Sequence, residues 1–162
     1  MRHLFIFLLI VVISSCNKTT YYIVRHAEKA AAASNMTTDV PLTTAGEQRA
    51  INLKNLLQNK HIGYIFSTST IRTTSTAKPL SAATGVPVQL YNHRDTLDQF
   101  IKRLKSIKMK NVLIVGHSNT VDDLVNKLMN QTLLKDLEDS EYDNLFIVNR
   151  KGKKYSFEQK KY

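Results

Sequence analysis

Two rhythms of apolar and polar residues run along the chain. Tyr21 to Val24 and Val112 to Val115 are short unbroken apolar runs of aromatic, β-branched and leucine residues, the pattern of strands covered on both faces. Each run stops at a polar cluster with no intervening turn: Arg25-His26-Ala27-Glu28-Lys29 after the first, Gly116-His117-Ser118 after the second. Shorter strand signals lie at Tyr64 to Ser67, behind Gly63, and at Val88 to Tyr91, behind Gly85 and Pro87. Between them the spacing changes to three- and four-residue steps. A helix is predicted from Thr43 or Thr44 to about Lys60, with Glu47 in capping-box spacing from Thr44 and Ile51, Leu53, Leu56 and Leu57 as core contacts. A second helix ends at about Thr84. A third, capped by Asp95 or Thr96, carries Leu97, Phe100, Ile101, Leu104 and Ile107 on one face; a fourth, capped by Asn119 or Thr120, carries Val121, Leu124, Val125, Leu128 and Met129. Ala30 to Val40 has little periodicity and reads as a loop over the strand ends, closed by Pro41. Asp136 to Asp143 is an acidic connection, and Leu145 to Val148 with Tyr155 to Phe157 alternates around Lys151-Gly152 as a closing hairpin.

Strands alternating with helices predict an α/β three-layer sandwich: a mainly parallel central sheet, helices on both faces, and a C-terminal antiparallel hairpin. In such sheets ligands bind outside the carboxyl ends of the strands, where His26 and His117 both fall. The 162 residues leave room for one domain with a real core. The first sixteen read as a leader, with Arg2 and His3 giving a basic start, Leu4 to Ile13 an apolar run, and Ser14 and Ser15 small residues at a cleavage point. Ile13-Ser14-Ser15-Cys16 resembles the lipobox of bacterial lipoproteins, which implies acylation of Cys16 and a lipid-anchored protein of the bacterial cell envelope, with residues 17–162 as the folded domain. Cys16 is the sole cysteine, so no disulfide forms within one molecule, and the histidines show no metal-ligand spacing. Net charge is +10, and loss of Arg2 leaves 22 basic against 13 acidic residues. That balance favours an anionic partner, either a phosphate-bearing substrate or an anionic envelope. Nucleic acid is not expected, because no aromatic stacking pattern is interleaved with the lysines.

Arg25-His26-x-Glu28, Ser67-Thr68-Ser69-x-x-Arg72-Thr73-x-x-Thr76-Ala77 and Gly116-His117-Ser118 lie in an order and spacing that resembles the histidine phosphatase superfamily, also called phosphoglycerate mutase-like. Pro41-Leu42-Thr43-x-x-Gly46 is similar to that family's entry to its first helix. The resemblance covers nearly the whole chain after the leader. It implies that His26 is a nucleophile toward phosphorus, and that Arg25, Arg72 and a protonated His117 hold the phosphoryl oxygens. A carboxylic acid protonates the leaving group, either Asp95, which is preferred, or Glu28. Ser118 follows the second histidine where phytases and acid phosphatases have an aspartate, so their arrangement of the acid is absent.

Phosphoryl transfer spreads negative charge over three equatorial oxygens, and catalysis is mostly positioning and electrostatic stabilisation. Two permanently charged, bidentate guanidinium groups supply that without a metal, and no cofactor is needed. The expected activity is a metal-independent phosphatase acting on a phosphomonoester or phosphohistidine, on a small molecule or a phosphoprotein, through phosphohistidine on His26. The cationic surroundings are expected to lower the pKa of His26 and keep its lone pair available. Two other readings are a mutase-like phosphotransferase and a non-catalytic, anchored anion-binding module. The first would need long loops that retain an intermediate, and the second would need no nucleophile beside two arginines.

Overall fold

The computed structural model describes residues 18–31 and 39–162, the side chains of 93–96 excepted. The leader over residues 1–16 and its Cys16 lie outside these residues, as does the middle of the expected loop over 30–40.

The elements follow the order β1 (Lys18–Arg25), α1 (Thr44–Leu57), β2 (Ile62–Ser67), α2 (Ile71–Thr84), β3 (Val88–Leu90), α3 (His93–Ser106), β4 (Asn111–Gly116), α4 (Val121–Met129), β5 (Asn144–Lys151) and β6 (Lys154–Lys161). They build a six-stranded sheet in the order β3-β2-β4-β1-β5-β6. β3, β2, β4 and β1 are parallel, and β5 and β6 close the sheet as an antiparallel hairpin. The period-two pleat sorts the strand residues to two cores. Tyr21 and Ile23 of β1 and Val112 and Ile114 of β4 join Phe100, Leu104, Leu124 and Val125 of α3 and α4. Tyr22, Val24, Leu113 and Val115 join Leu53, Leu57, Ala77 and Leu80 of α1 and α2 on the other face. This is the three-layer arrangement expected from the sequence. Right-handed crossovers account for it: the chain steps outward from β1 to β3 with its helices on one face, then returns with them on the other.

The differences from the sequence reading are local. β1 begins three residues early because Thr19 and Thr20 pair with Arg150 and Asn149 of β5. In α1, Ile51 and Leu56 are 40% and 42% exposed, and the buried stripe is instead Gly46, Ala50, Leu53 and Leu57. Thr43 is the cap, its hydroxyl oxygen accepting from Gly46 N at 3.1 Å, so no capping box forms from Thr44. α3 begins at His93, which puts Asp95 in its first turn rather than at its cap. There an acid still favours the helix through the macrodipole.

Candidate active site

β1 and β4 are neighbours, with Arg25 opposite Gly116. The amide of His26 donates to the Gly116 carbonyl at 2.9 Å, so His26 and His117 leave the sheet side by side. Their ring centroids are 5.5 Å apart, with an interplanar angle of 67°. The helix after β1 packs on one face and the helix after β4 on the other. The chain therefore parts at this point and leaves a crevice at the strand ends, as at other topological switch points. Gly116 is the residue that permits the approach. A Cβ there would lie 2.6 Å from Thr120 Oγ1 and 3.0 Å from the Tyr91 hydroxyl. The Thr120 hydroxyl oxygen accepts from His117 N at 2.7 Å instead of capping α4, which fixes the second histidine at its backbone.

His26 is buried, 3% exposed, and its Nδ1 lies 2.7 Å from the Ala27 carbonyl oxygen. A carbonyl only accepts, so Nδ1 carries the proton and Nε2 bears the lone pair. The pKa of His26 is lowered from 6.5 to about 3, first by burial and then by the charges of Arg25, His117 and Arg72, against the opposing pull of the Ala27 carbonyl. The direction agrees with the sequence reading, but desolvation outweighs the cations as its cause. Ala27 N donates to Thr76 Oγ1 at 2.9 Å, and that hydroxyl donates to the Arg72 carbonyl at 2.7 Å. One threonine thus ties the loop of the first histidine to the helix of the second arginine.

Arg72 Nη2 lies 3.5 Å from His117 Nδ1. His117 Nε2 lies 2.9 Å from Thr68 Oγ1, and Thr68 in turn donates to Thr73 Oγ1 at 3.1 Å. Arg72 Nη1 also meets Asp39 Oδ1 at 3.4 Å, and the Asp39 carboxylate accepts from Ile71 N at 2.9 and 3.1 Å. Arg25 is held from the acidic connection: it donates to the carbonyls of Glu138 at 2.8 Å and Asp139 at 3.2 Å, and pairs with the Asp139 carboxylate at 3.4 Å. Its guanidinium carbon sits 4.3 Å from the Tyr142 ring centroid, and its Nε is buried with no hydrogen-bond partner.

The crevice is an open cleft of about 1100 Å³ whose lining includes Arg25, His26, Arg72 and His117 together with Lys29, Asp136 and Asp139. Glu28 is not part of that wall. Arg49 grips its carboxylate through Nε at 2.9 Å to each oxygen and through Nη2 at 2.6 Å. The Arg49 hydrogen bond holds the Glu28 carboxyl below the usual glutamate range, so it is ionised and a poor proton donor. Arg49 also donates to the Tyr162 carbonyl at 2.7 Å, and a Cβ on Gly46 would come within 2.3 Å of the Glu28 carbonyl oxygen. Glu28 therefore locks the strand-end loop to α1. The Asp95 side chain lies outside the described residues; in sequence it follows Leu90, Tyr91 and Asn92, which line the cleft. Asp39, Asp139 and Tyr142 were not legible as site neighbours, because each lies in a stretch with no periodicity to place it.

Residues 21–93 match the family model of the histidine phosphatase superfamily (branch 1). No curated protein matches the chain. The protein histidine phosphatase SixA complexed with tungstate has the same fold at a TM-score of 0.69 and 18% identity, over 88% of this chain and 96% of that one. YhfR of Bacillus stearothermophilus aligns at 0.65 and 18% identity, over 85% and 94%. A mycobacterial glucosyl-3-phosphoglycerate phosphatase aligns at 0.62 and 12% identity, over 90% and 98%. At these identities the likeness is one of fold.

Proposed function

We propose that this chain is a phosphatase of the histidine phosphatase superfamily, hydrolysing a phosphomonoester or phosphohistidine by way of phosphate carried on His26. The observation that carries the reading is the fixed tautomer of a buried histidine: Nδ1 is committed to the Ala27 carbonyl, and Nε2 keeps its lone pair beside Arg25, Arg72 and His117. Nε2 attacks phosphorus, an N–P bond forms, and the bond to the leaving group breaks. Water then attacks phosphorus, the N–P bond breaks, and neutral His26 is restored as phosphate departs. Arg25 and Arg72 hold the transferring oxygens. Asp39 and Asp139 give way to the stronger anion, since a phosphoryl dianion outcompetes a single carboxylate for a guanidinium. Asp95 protonates an alkoxide leaving group, while Glu28 positions the loop. Acylation at Cys16 anchors the enzyme to the cell envelope.

Quench of a reaction with labelled aryl phosphate in detergent at alkaline pH, where the N–P bond survives, is expected to trap phosphate on His26, and His26→Ala is expected to lose both the label and several orders of magnitude in turnover. Label recovered on a serine or an aspartate would refute the mechanism.

A further inference from the structure

Opposite the cleft, the other end of the sheet is built from segments far apart in sequence. β1 starts there at Lys18, opposite Lys151 of β5, which in turn faces Lys154 of β6 across the hairpin turn. The connection from α3 to β4 is stitched to the same end. Thr19 Oγ1 donates to the Ile107 carbonyl at 3.3 Å, Arg150 donates to the carbonyls of Lys105 and Ile107, and Thr20 N donates to Asn111 Oδ1 at 3.0 Å. Lys105, Lys108 and Lys110 are therefore brought beside Lys18, Lys151 and Lys154, and all six are exposed. The segments 18–20, 58–62, 105–111 and 149–155 contain no aspartate or glutamate. The acids gather at the far end, where Asp136 and Asp139 line the cleft and Asp143 and Glu141 precede β5. The eight residues of β1 separate the two ends by roughly 23 Å.

The basic end also carries an apolar tip. Met109, between Lys108 and Lys110, has φ +58 and is 61% exposed. Glycine takes that conformation without cost, whereas a methionine there is held in the left-handed region. An exposed apolar residue flanked by lysines is the composition of a surface that sits at a lipid interface.

We infer that this end of the domain docks on an anionic phospholipid bilayer, seating Met109 among the acyl chains and turning the cleft away from the membrane. Two observations select a bilayer over another polyanion. The apolar run Leu4 to Ile13 lies just upstream of Lys18, where β1 enters this end. The surface also pairs lysines with an exposed aliphatic side chain rather than with stacking aromatics. Docking rests on neither the phosphatase reading nor acylation of Cys16.

The test uses the full chain carrying Cys16→Ser, so that no acyl chain contributes, in cosedimentation with two kinds of vesicle. One is phosphatidylcholine alone, and the other is equimolar phosphatidylglycerol and phosphatidylcholine. Binding is expected to be stronger on the anionic vesicles and to weaken as salt rises. Replacing Lys108, Lys110, Lys151 and Lys154 by glutamine is expected to cost roughly fivefold in partitioning for each lysine removed. Met109→Ser is expected to weaken binding further, with an unchanged circular dichroism spectrum and urea midpoint as the check on folding. The apolar leader is common to all the chains, so its own insertion cancels. Equal binding to both vesicles, or a glutamine variant that binds like the parent, would overturn the proposal. So would retention on duplex DNA with no preference for anionic vesicles, which would make nucleic acid the partner.

Discussion

Burial of His26 couples its chemistry to pH. Its folded pKa of about 3 lies below the 6.5 of an unhindered histidine, so between these values the unfolded chain binds a proton that the folded one refuses. Stability therefore falls as pH drops from about 6.5 toward 3 and is unaffected by this group above 6.5. Urea midpoints measured across that window are expected to fall less steeply in His26→Asn than in the parent, and identical slopes would show that burial does not govern the group. The same depression predicts that turnover does not titrate on His26 near neutrality. The acid is separable by leaving group. Asp95→Asn is expected to slow alkyl phosphates by about 10²- to 10⁴-fold and to spare a nitrophenyl phosphate, whose leaving group needs no proton. Glu28→Gln loosens the Arg49 clamp and is expected to slow both alike. A leaving-group dependence that follows Glu28 instead would exchange the two roles.

At the scale of elements, contact between α1 and the strand-end loop sets the geometry around His26. Thr43 N donates to the Glu28 carbonyl at 2.9 Å, and Gly46 leaves no room for a side chain against that same carbonyl. Gly46→Ala is expected to destabilise the fold by about 1–3 kcal/mol through overpacking, read as a lowered denaturant midpoint, and to reduce turnover as the loop shifts. An alanine variant with parental stability and rate would show that the loop follows α1 without strain. The strands were legible because β1 and β4 are covered on both faces and write an unbroken apolar run. α3 and α4 were legible because one face alone is covered. α1 misled at Ile51 and Leu56, where its buried stripe is built from Gly46 and Ala50, too small for a hydrophobic pattern to reveal. The two histidines and two arginines could be read from strand ends and motif spacing. The clamp of Asp139 and Tyr142 on Arg25 could not, since a connection that folds back across a hundred residues leaves no local mark.

For the whole molecule, the order of the strands decides what faces outward at each side of the sheet. One margin is β3, only three residues long, and the other is β6, along which Lys154, Lys160 and Lys161 stand exposed. An open margin of unpaired amides is a template for another chain, and brevity on one side with charged side chains on the other are two usual ways of blunting it. Confinement to a bilayer, as inferred for the basic end of the domain, would make that protection matter more. Molecules spread over a plane meet far more often than in free solution, and the charged side chains along β6, Lys154 and the Glu158–Lys160 pair among them, disfavour the pairing of two such margins. On the docking inferred above, molecules would be crowded on a membrane while each copy keeps its own cleft open, and the hairpin that completes the sheet would also keep neighbours apart.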